Sequence, residues 1–124
     1  MWGVIRKYMN KRLVGDDFEN VAASYMKRNG YDILEQNFRC RIGEIDIVAR
    51  NEEYLVFTEV KYRNDNRYGE PEYAVGIRKQ QKIYRVAQVY LKKNNISFDT
   101  PIRFDVVSVM GDKINIIKNA FGVM

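Results

Sequence analysis

Three residues on two adjacent extended segments have the types and spacing for metal-assisted hydrolysis. Asp46 lies in a run that alternates apolar and polar residues, and Glu59-Val60-Lys61 lies in the β-branched and aromatic run that follows. Carboxylate oxygens are ligands that Mg²⁺ prefers, and a neighbouring lysine can position a water molecule or neutralise developing charge. Asp46, Glu59 and Lys61 are therefore candidates for the hydrolysis of a phosphodiester.

The pairing of these two segments decides whether the three side chains meet. With residues 51–52 as a two-residue turn, Asp46 is expected opposite Phe57, and Glu44 opposite Glu59. Cross-strand partners share a face of the sheet, and so do residues two apart on one strand. A three-residue turn would move Asp46 to the other face. In the predicted register, one face contains four charged side chains: Glu44, Asp46, Glu59 and Lys61.

Each acidic residue also has an interpretation without catalysis. Glu59 and Lys61 on an exposed strand face would form an ordinary ion pair. Glu44 is either a second acid near the metal or a charge that protects a strand edge from pairing. Glu19 is either half of a capping box with Asp16 at a helix start, or a carboxylate directed from that helix toward the sheet. Both interpretations of each residue stay open.

The composition excludes several other kinds of active site. The chain has 124 residues, no histidine and one cysteine, Cys40. Ser-His-Asp and Cys-His nucleophile systems, histidine-ligated zinc and disulfide frameworks are therefore excluded. No run approaches the roughly 18 apolar residues of a membrane helix, and residues 1–13 lack the apolar core of a signal peptide. We expect a cytoplasmic protein with no membrane partner, in which residues 1–13 form a basic arm.

Positive charge is concentrated in one part of the chain. The net charge is +5, and the segment 61–93 contributes +6 because it contains nine basic and three acidic residues. A helix with one buried stripe and a basic polar face is predicted there, and its N-terminal N–H groups favour anions. A phosphate backbone is the preferred partner, and a solvated helix face is the alternative. The candidate contacts are Arg78, Lys79, Gln80, Lys82 and Arg85.

Other side chains have a structural interpretation first. Four tyrosines could stack on unpaired bases, although most tyrosines in such a domain fill the core or the surface: Tyr62, Tyr68, Tyr73 and Tyr84. Arg103 and Asp105 share one face of a predicted strand, where they are expected to form a structural ion pair.

The remaining patterns describe one domain that spans residues 14–124. Apolar residues at helical spacing predict a first helix, which Asn29-Gly30 ends. Residues 63–76 form a long connection, of the kind that is often functional or mobile. The predicted helices span 16–29 and 78 to about 94, and the predicted strands span 31–38, 44–50, 54–62, 102–109 and 114–117.

Five motifs in this order are distinctive, together with a first helix that contains Glu19. They are Asn37 to Asp46 (NFRCRIGEID), Phe57 to Lys61 (FTEVK), Lys79-Gln80, Arg103 to Val107 (RFDVV) and Ile117 to Phe121 (IKNAF). From about residue 15 to 121 the chain resembles the YraN family of small bacterial proteins. That family is assigned to the restriction endonuclease-like, or PD-(D/E)xK, superfamily, near the Holliday-junction resolvases.

The resemblance implies an α/β domain with a mixed central β-sheet flanked by helices. It also implies a Mg²⁺ or Mn²⁺ site at Asp46, Glu59 and the carbonyl group of Val60, with Lys61 as catalytic base or electrostatic stabiliser. Glu19 would be a further acidic member of that site on the first helix.

The expected function is Mg²⁺-dependent hydrolysis of phosphodiester bonds in DNA, with branched or recombination-intermediate DNA as a candidate substrate and a homodimer as a candidate assembly. The resemblance implies that Gln80 is a polar contact from the second helix, while Ile45 stands where the superfamily often has proline. One alternative is a non-catalytic DNA- or RNA-binding module whose acids are structural. The other is a protein-interaction domain whose basic helix meets an acidic partner.

Overall fold

The chain forms two helices and five strands over the residues that the computed structural model describes, 15–63 and 74–122. The predicted basic arm at 1–13 and most of the predicted connection at 63–76 lie outside those residues. The elements are α1 (Gly15–Arg28), β1 (Asp32–Arg39), β2 (Glu44–Asn51), β3 (Tyr54–Arg63), α2 (Ile77–Lys93), β4 (Ile102–Met110) and β5 (Lys113–Phe121).

The final strand is longer than the sequence predicts. Alternation predicts 114–117, whereas β5 extends to Phe121 and pairs with β4 as far as Phe104. β5 is the last strand of the sheet, and several of its side chains are exposed, including those of Lys118 and Asn119. An edge strand is held by backbone hydrogen bonds on one side, so polar side chains do not prevent its formation.

The five strands form one mixed sheet in the order β1-β2-β3-β4-β5. β3 and β4 are parallel, and the other three neighbouring pairs are antiparallel. A parallel pair needs a crossover connection, and α2 lies in the connection between β3 and β4. The predicted α/β class, with a mixed central sheet flanked by helices, is confirmed.

The two faces of the sheet are covered by different helices. Val48 and Phe57 pack with the buried stripe of α2, whereas Ile47 and Val56 pack with α1. All four are fully buried, as expected for strands covered on both faces. Neither helix in the described part of the chain is long and apolar enough to span a bilayer.

The hairpin of β2 and β3 has the predicted parity but not the predicted pairs. The structure pairs Val48 with Phe57 and Asn51 with Tyr54, so the turn is 52–53 rather than 51–52. Glu52 adopts a positive φ of 57° at that turn. Each β3 residue therefore lies opposite a β2 residue two positions later than predicted. A shift of two keeps every side chain on its predicted face.

Asn51 leaves the turn because its side chain has buried partners elsewhere. Its Oδ1 accepts a hydrogen bond from Arg103 at 2.8 Å, and its Nδ2 donates to the carbonyl of Gly30 at 3.3 Å. Arg103 also donates to Asp105 at 2.8 Å, so the predicted structural ion pair is confirmed. The hydroxyl group of Tyr31 donates to Asp105 at 2.7 Å. Tyr31, Asn51, Arg103 and Asp105 therefore form one buried network on the face of the sheet that α1 covers.

β2 and β3 separate at one end of the sheet. Their pairing stops at Ile47 opposite Thr58, while β3 stays paired with β4 as far as Arg63. Residues 59–63 of β3 therefore have a strand neighbour on one side only, among the residues described. Asp46 of β2 and the Glu59-Val60-Lys61 motif of β3 lie at this opening.

Candidate metal and nucleic-acid site

Asp46 connects the two strands at the point where their ladder has ended. Its Oδ2 accepts a hydrogen bond from the backbone N–H of Val60 at 2.8 Å. The half-buried carboxylate of Asp46 lies on the face of the sheet that α2 covers, and parity places Glu59 and Lys61 on that same face. Asp46, Glu59 and Lys61 therefore share the face that the sequence predicts.

Glu59 is a buried carboxyl group beside a second acid. Its side chain is 12% exposed, and its Oε1 lies 3.1 Å from Nζ of Lys79. Burial, followed by the negative charge of Asp46, raises the pKa of Glu59 from 4.5 to about 7, while Lys79 acts in the opposite direction. Two neighbouring carboxyl groups that resist simultaneous ionisation are a favourable place for a cation.

Lys61 faces the opening between the sheet and the start of α2. Its ammonium group donates a hydrogen bond to the carbonyl of Ala74. A cavity of about 410 Å³ lies here, lined by Glu59, Lys61, Ala74, Val75, Gly76 and Lys79. Lys61 thus shares a cavity with Glu59 and with the N-terminus of α2.

A second, smaller cavity lies on the other side of Glu59. It has a volume of about 200 Å³ and is lined by Gly43, Glu44, Asp46, Glu59, Lys79, Lys82 and Ile83. The turn between β1 and β2 closes this side, and a Cβ atom on Gly43 would lie 3.0 Å from the Lys82 side chain. The aliphatic part of the Lys82 side chain therefore lies against Gly43 in the β1–β2 turn, in the same cavity as Asp46 and Glu59.

Glu44 has a partner on the neighbouring strand. It forms an ion pair with Arg39 on β1 at 3.0 Å, and both side chains are more than half exposed. β2 is an inner strand and pairs with β1 at Glu44, so Glu44 forms a cross-strand ion pair and does not protect an edge of the sheet. Glu44 nevertheless lines the smaller cavity, so its carboxylate lies at the border of the site.

Glu19 lies on α1, the helix that packs against the opposite face. Its Oε2 atom is buried, and the ring of the preceding residue, Phe18, stacks on Tyr62. Tyr62 follows Lys61 directly, so Glu19 lies at the same end of the sheet as the Glu-x-Lys motif. The side chain of Asp16, its expected capping partner, lies outside the described residues.

The start of α2 presents positive charge to solvent. The side chains of Arg78, Lys79, Lys82 and Arg85 are exposed. No acidic residue lies in the first turn, and the N-cap, Gly76, provides no side-chain hydrogen bond. Gln80 is half-buried and donates to the carbonyl of Val75 at 2.7 Å, which holds the entry to the helix. Lys79 and Lys82 line the cavities, whereas Arg78 and Arg85 extend the basic surface around them.

The two described tyrosines of the predicted stacking set have different surroundings. Tyr84 packs against the core, with its ring 6.2 Å from that of Phe104. Tyr62 is 51% exposed and stacks on Phe18. The other two, Tyr68 and Tyr73, lie outside the described residues.

Comparison with known proteins assigns the chain to a family. Residues 18–109 match the family described as "Uncharacterised protein family UPF0102". The chain belongs to this family. A UPF0102 protein of Lachnoclostridium phytofermentans is 51% identical over 113 residues, which cover 91% of this chain and 96% of the relative. A UPF0102 protein of Acetivibrio thermocellus is 49% identical over 122 residues, covering 90% and 93%. One of Clostridium botulinum is 46% identical over 122 residues, covering 94% and 98%.

The segment that matches UPF0102 includes every element of the candidate site. β2, β3 and α2 lie within residues 18–109, and so does Glu19. The family resemblance predicted from the motifs is confirmed at the level of UPF0102.

The contact of Lys79 with Glu59 was not predicted from the sequence. Lys79 was assigned only to phosphate binding, yet it precedes the buried Ile83 by four residues, and residues four apart share a face of a helix. That spacing directs Lys79 toward the sheet and would have identified the contact. The stacking of Phe18 on Tyr62 was also missed, because the two residues are far apart in the chain.

The donor set fits a hard divalent cation that keeps part of its water. The described residues contain no cluster of three or more histidine, cysteine or acidic side chains arranged to hold a metal. Asp46 and Glu59 are two neighbouring carboxyl groups. Mg²⁺ is commonly held by one or two carboxylates together with waters and substrate phosphate oxygens. Burial and the negative charge of Asp46 raise the pKa of Glu59, and a cation beside the two carboxyl groups would offset both effects.

Proposed function

We propose that this protein is a Mg²⁺-dependent, endonuclease-like hydrolase of phosphodiester bonds in DNA, with branched or recombination-intermediate DNA as the candidate substrate. The observation that carries the proposal is the position of Glu59, which lies beside Asp46 and shares a cavity with Lys61 at the basic N-terminus of α2. The mixed sheet with a helix on each face also agrees with the resemblance to the restriction endonuclease-like superfamily.

The acidic residues would serve as the metal site. Asp46, Glu59 and the carbonyl of Val60 would hold Mg²⁺, which when bound supplies a Lewis acid for a phosphoryl oxygen and lowers the pKa of coordinated water. The hydrogen bond from Val60 N–H orients the Asp46 carboxylate without any metal. Burial of Glu59 excludes bulk water from one side and strengthens its interaction with a cation.

Lys61 would act on the reacting phosphate. It lies two residues after Glu59 on the same face of β3 and lines the same cavity. An ammonium group at that position can neutralise charge that develops on a phosphoryl oxygen, or orient a water molecule for attack. The contact with the Ala74 carbonyl holds the lysine at the mouth of the cavity.

The start of α2 would hold the rest of the nucleic acid backbone. Arg78, Lys82 and Arg85 are exposed on the helix that borders the site, and the first backbone N–H groups of the helix also favour a phosphate. These contacts would position DNA without reading its sequence, since phosphate contacts are the same at every base pair.

Cleavage of plasmid and branched DNA by the purified protein, with Mg²⁺ or Mn²⁺ and with EDTA, tests the proposal. We expect metal-dependent nicking that Glu59→Ala and Lys61→Ala abolish while DNA binding in EDTA is retained. Glu53→Ala and Lys92→Ala change an exposed acid and an exposed base away from the site, and these matched controls should cleave like the unaltered protein.

Two outcomes would contradict catalysis. Cleavage that persists in both site variants would identify a contaminating nuclease. Binding without cleavage in either metal would favour the second candidate, a nucleic-acid-binding module in which Lys79 neutralises Glu59 through the contact seen here.

A further inference from the structure

Tyr62 presents an aromatic ring to solvent immediately beside the candidate site. It is 51% exposed, so a large part of this aromatic residue is open to solvent. One face of its ring is covered by Phe18, with ring centroids 4.0 Å apart and planes inclined by 5°. The Phe18–Tyr62 pair therefore leaves part of a flat, rigidly supported ring open to a second planar group.

The position of this pair relative to the site follows from strand geometry. Tyr62 follows Lys61 on β3, so the two side chains emerge from opposite faces of the sheet. At this point β3 has no strand neighbour on the β2 side among the described residues, because the ladder ends at Thr58. A chain that crosses this open edge can contact Lys61 on one face and Tyr62 on the other.

The two contacts lie close enough for one strand of nucleic acid to reach both. Adjacent residues of a strand are about 3.8 Å apart at their Cα atoms, but their side chains point away from each other, so the ammonium group and the ring are farther apart than that. A phosphate near Lys61 and a base on Tyr62 would thus belong to nearby nucleotides of one strand. In a continuous duplex both faces of that base are occupied by its neighbours, whereas an unpaired base has a free face for an aromatic ring.

We infer that the Phe18–Tyr62 pair is a base-stacking platform, and that the site takes DNA in which a base next to the bound phosphate is unpaired. The inference rests on the proposed function for the phosphate contact at Lys61 and adds the class of substrate. The occupant is a nucleobase rather than an apolar protein segment, because Tyr62 directly follows Lys61, and the cavity that Lys61 lines on the other face also contains Lys79. Positive charge beside an aromatic ring is the combination that binds single-stranded nucleic acid.

The test compares a single-stranded oligonucleotide with a blunt duplex of the same sequence. Binding is measured by fluorescence anisotropy in EDTA, so that cleavage does not contribute. Tyr62→Leu keeps apolar cover over Phe18 but removes the aromatic face, and Tyr62→Phe keeps the ring. Phe98→Leu is the matched control, since Phe98 is 65% exposed and precedes the start of β4, at the opposite end of the sheet.

We expect Tyr62→Leu to weaken single-strand binding by about fivefold to a hundredfold, and duplex binding by less than about twofold. Tyr62→Phe and Phe98→Leu should bind both DNAs like the unaltered protein. A 2-aminopurine base in the single strand should lose fluorescence on binding to the unaltered protein and not on binding to Tyr62→Leu. Urea unfolding of each variant checks that the fold is intact.

The inference fails if Tyr62→Leu leaves the ratio of single-strand to duplex affinity unchanged, or if Phe98→Leu lowers it equally. A Tyr62-dependent single-strand preference without any metal-dependent cleavage would support the platform and contradict the nuclease. Absence of binding to either DNA would overturn both proposals.

Discussion

Nζ of Lys79 lies 3.1 Å from Oε1 of Glu59, so a cation supplied by α2 already contacts the carboxylate that we assign to the metal. The lysine side chain is 59% exposed, which allows it to move away when another cation arrives. Lys79 is therefore part of the basic surface, and under the proposed function it would compete with the metal for Glu59.

Replacement of Lys79 should strengthen metal binding. At pH 8.5, where Glu59 is ionised, we expect Lys79→Met to lower the dissociation constant for Mn²⁺ by about two- to fivefold. The range corresponds to the modest free energy of an ion pair whose lysine side chain is 59% exposed. Isothermal titration calorimetry measures it, with Arg78→Met as the control that removes a nearby charge without a contact to Glu59. A weaker affinity in Lys79→Met would show that the lysine does not compete with the metal.

The raised pKa of Glu59 predicts a pH-dependent cost to stability without metal. The folded pKa of about 7 exceeds the ordinary 4.5, so the folded protein binds the extra proton between those values. The proton on Glu59 therefore stabilises the folded protein fully below pH 4.5, and this stabilisation is lost as the pH rises through 7. Glu59→Gln has no such proton to lose. From pH 4.5 to pH 8 we therefore expect the free energy of unfolding of Glu59→Gln to rise by roughly 2–3 kcal/mol relative to that of the unaltered protein.

Urea unfolding in EDTA at both pH values measures that gain. Glu53→Gln, an exposed glutamate in the β2–β3 turn, is the matched control and should show no such trend. A stability difference between Glu59→Gln and the unaltered protein that stays constant with pH would contradict the shifted pKa.

DNA affinity should depend on salt through the first turns of α2. Each phosphate contact to duplex DNA contributes about 0.9 to the slope of log affinity against log salt concentration. We expect Arg78→Ala and Lys82→Ala each to reduce the slope by about that amount. Lys92→Ala alters the far end of the same helix, some 20 Å away, and should leave the slope unchanged. Equal effects from all three variants would indicate general charge attraction instead of a contact surface at the site.

Two arginine–carboxylate pairs in the described part of the chain should differ in their effect on stability. Arg103 and Asp105 are buried, whereas Arg39 and Glu44 are exposed. Arg103→Leu leaves a buried carboxylate without its cation, so we expect a loss of about 3 kcal/mol or more in the free energy of unfolding. Arg39→Leu should cost less than about 1 kcal/mol. Similar losses in urea unfolding for the two variants would contradict this assignment.

Local patterns predicted most of the elements and the face on which the acids lie. Asp46 and Val48 lie two residues apart on β2, so they share one side whatever the turn, because the side-chain period of a strand is two. The exact pairs were predicted wrongly because the turn residues, Asn51 to Glu53, are all polar and offer several equivalent turns. Asn51 is drawn into the strand by Arg103 and Gly30, which the local sequence does not reveal.

The sequence by itself determined the α/β class, the shared parity of Asp46, Glu59 and Lys61, and the basic character of α2. These depend on composition and on short-range periodicity, which backbone geometry translates directly into faces of a strand or helix. Only the tertiary structure decided that β2 and β3 part after Thr58, that Lys79 meets Glu59, and that Phe18 supports Tyr62. Those contacts join elements far apart in the chain, so they follow from packing over the whole core and not from any local pattern.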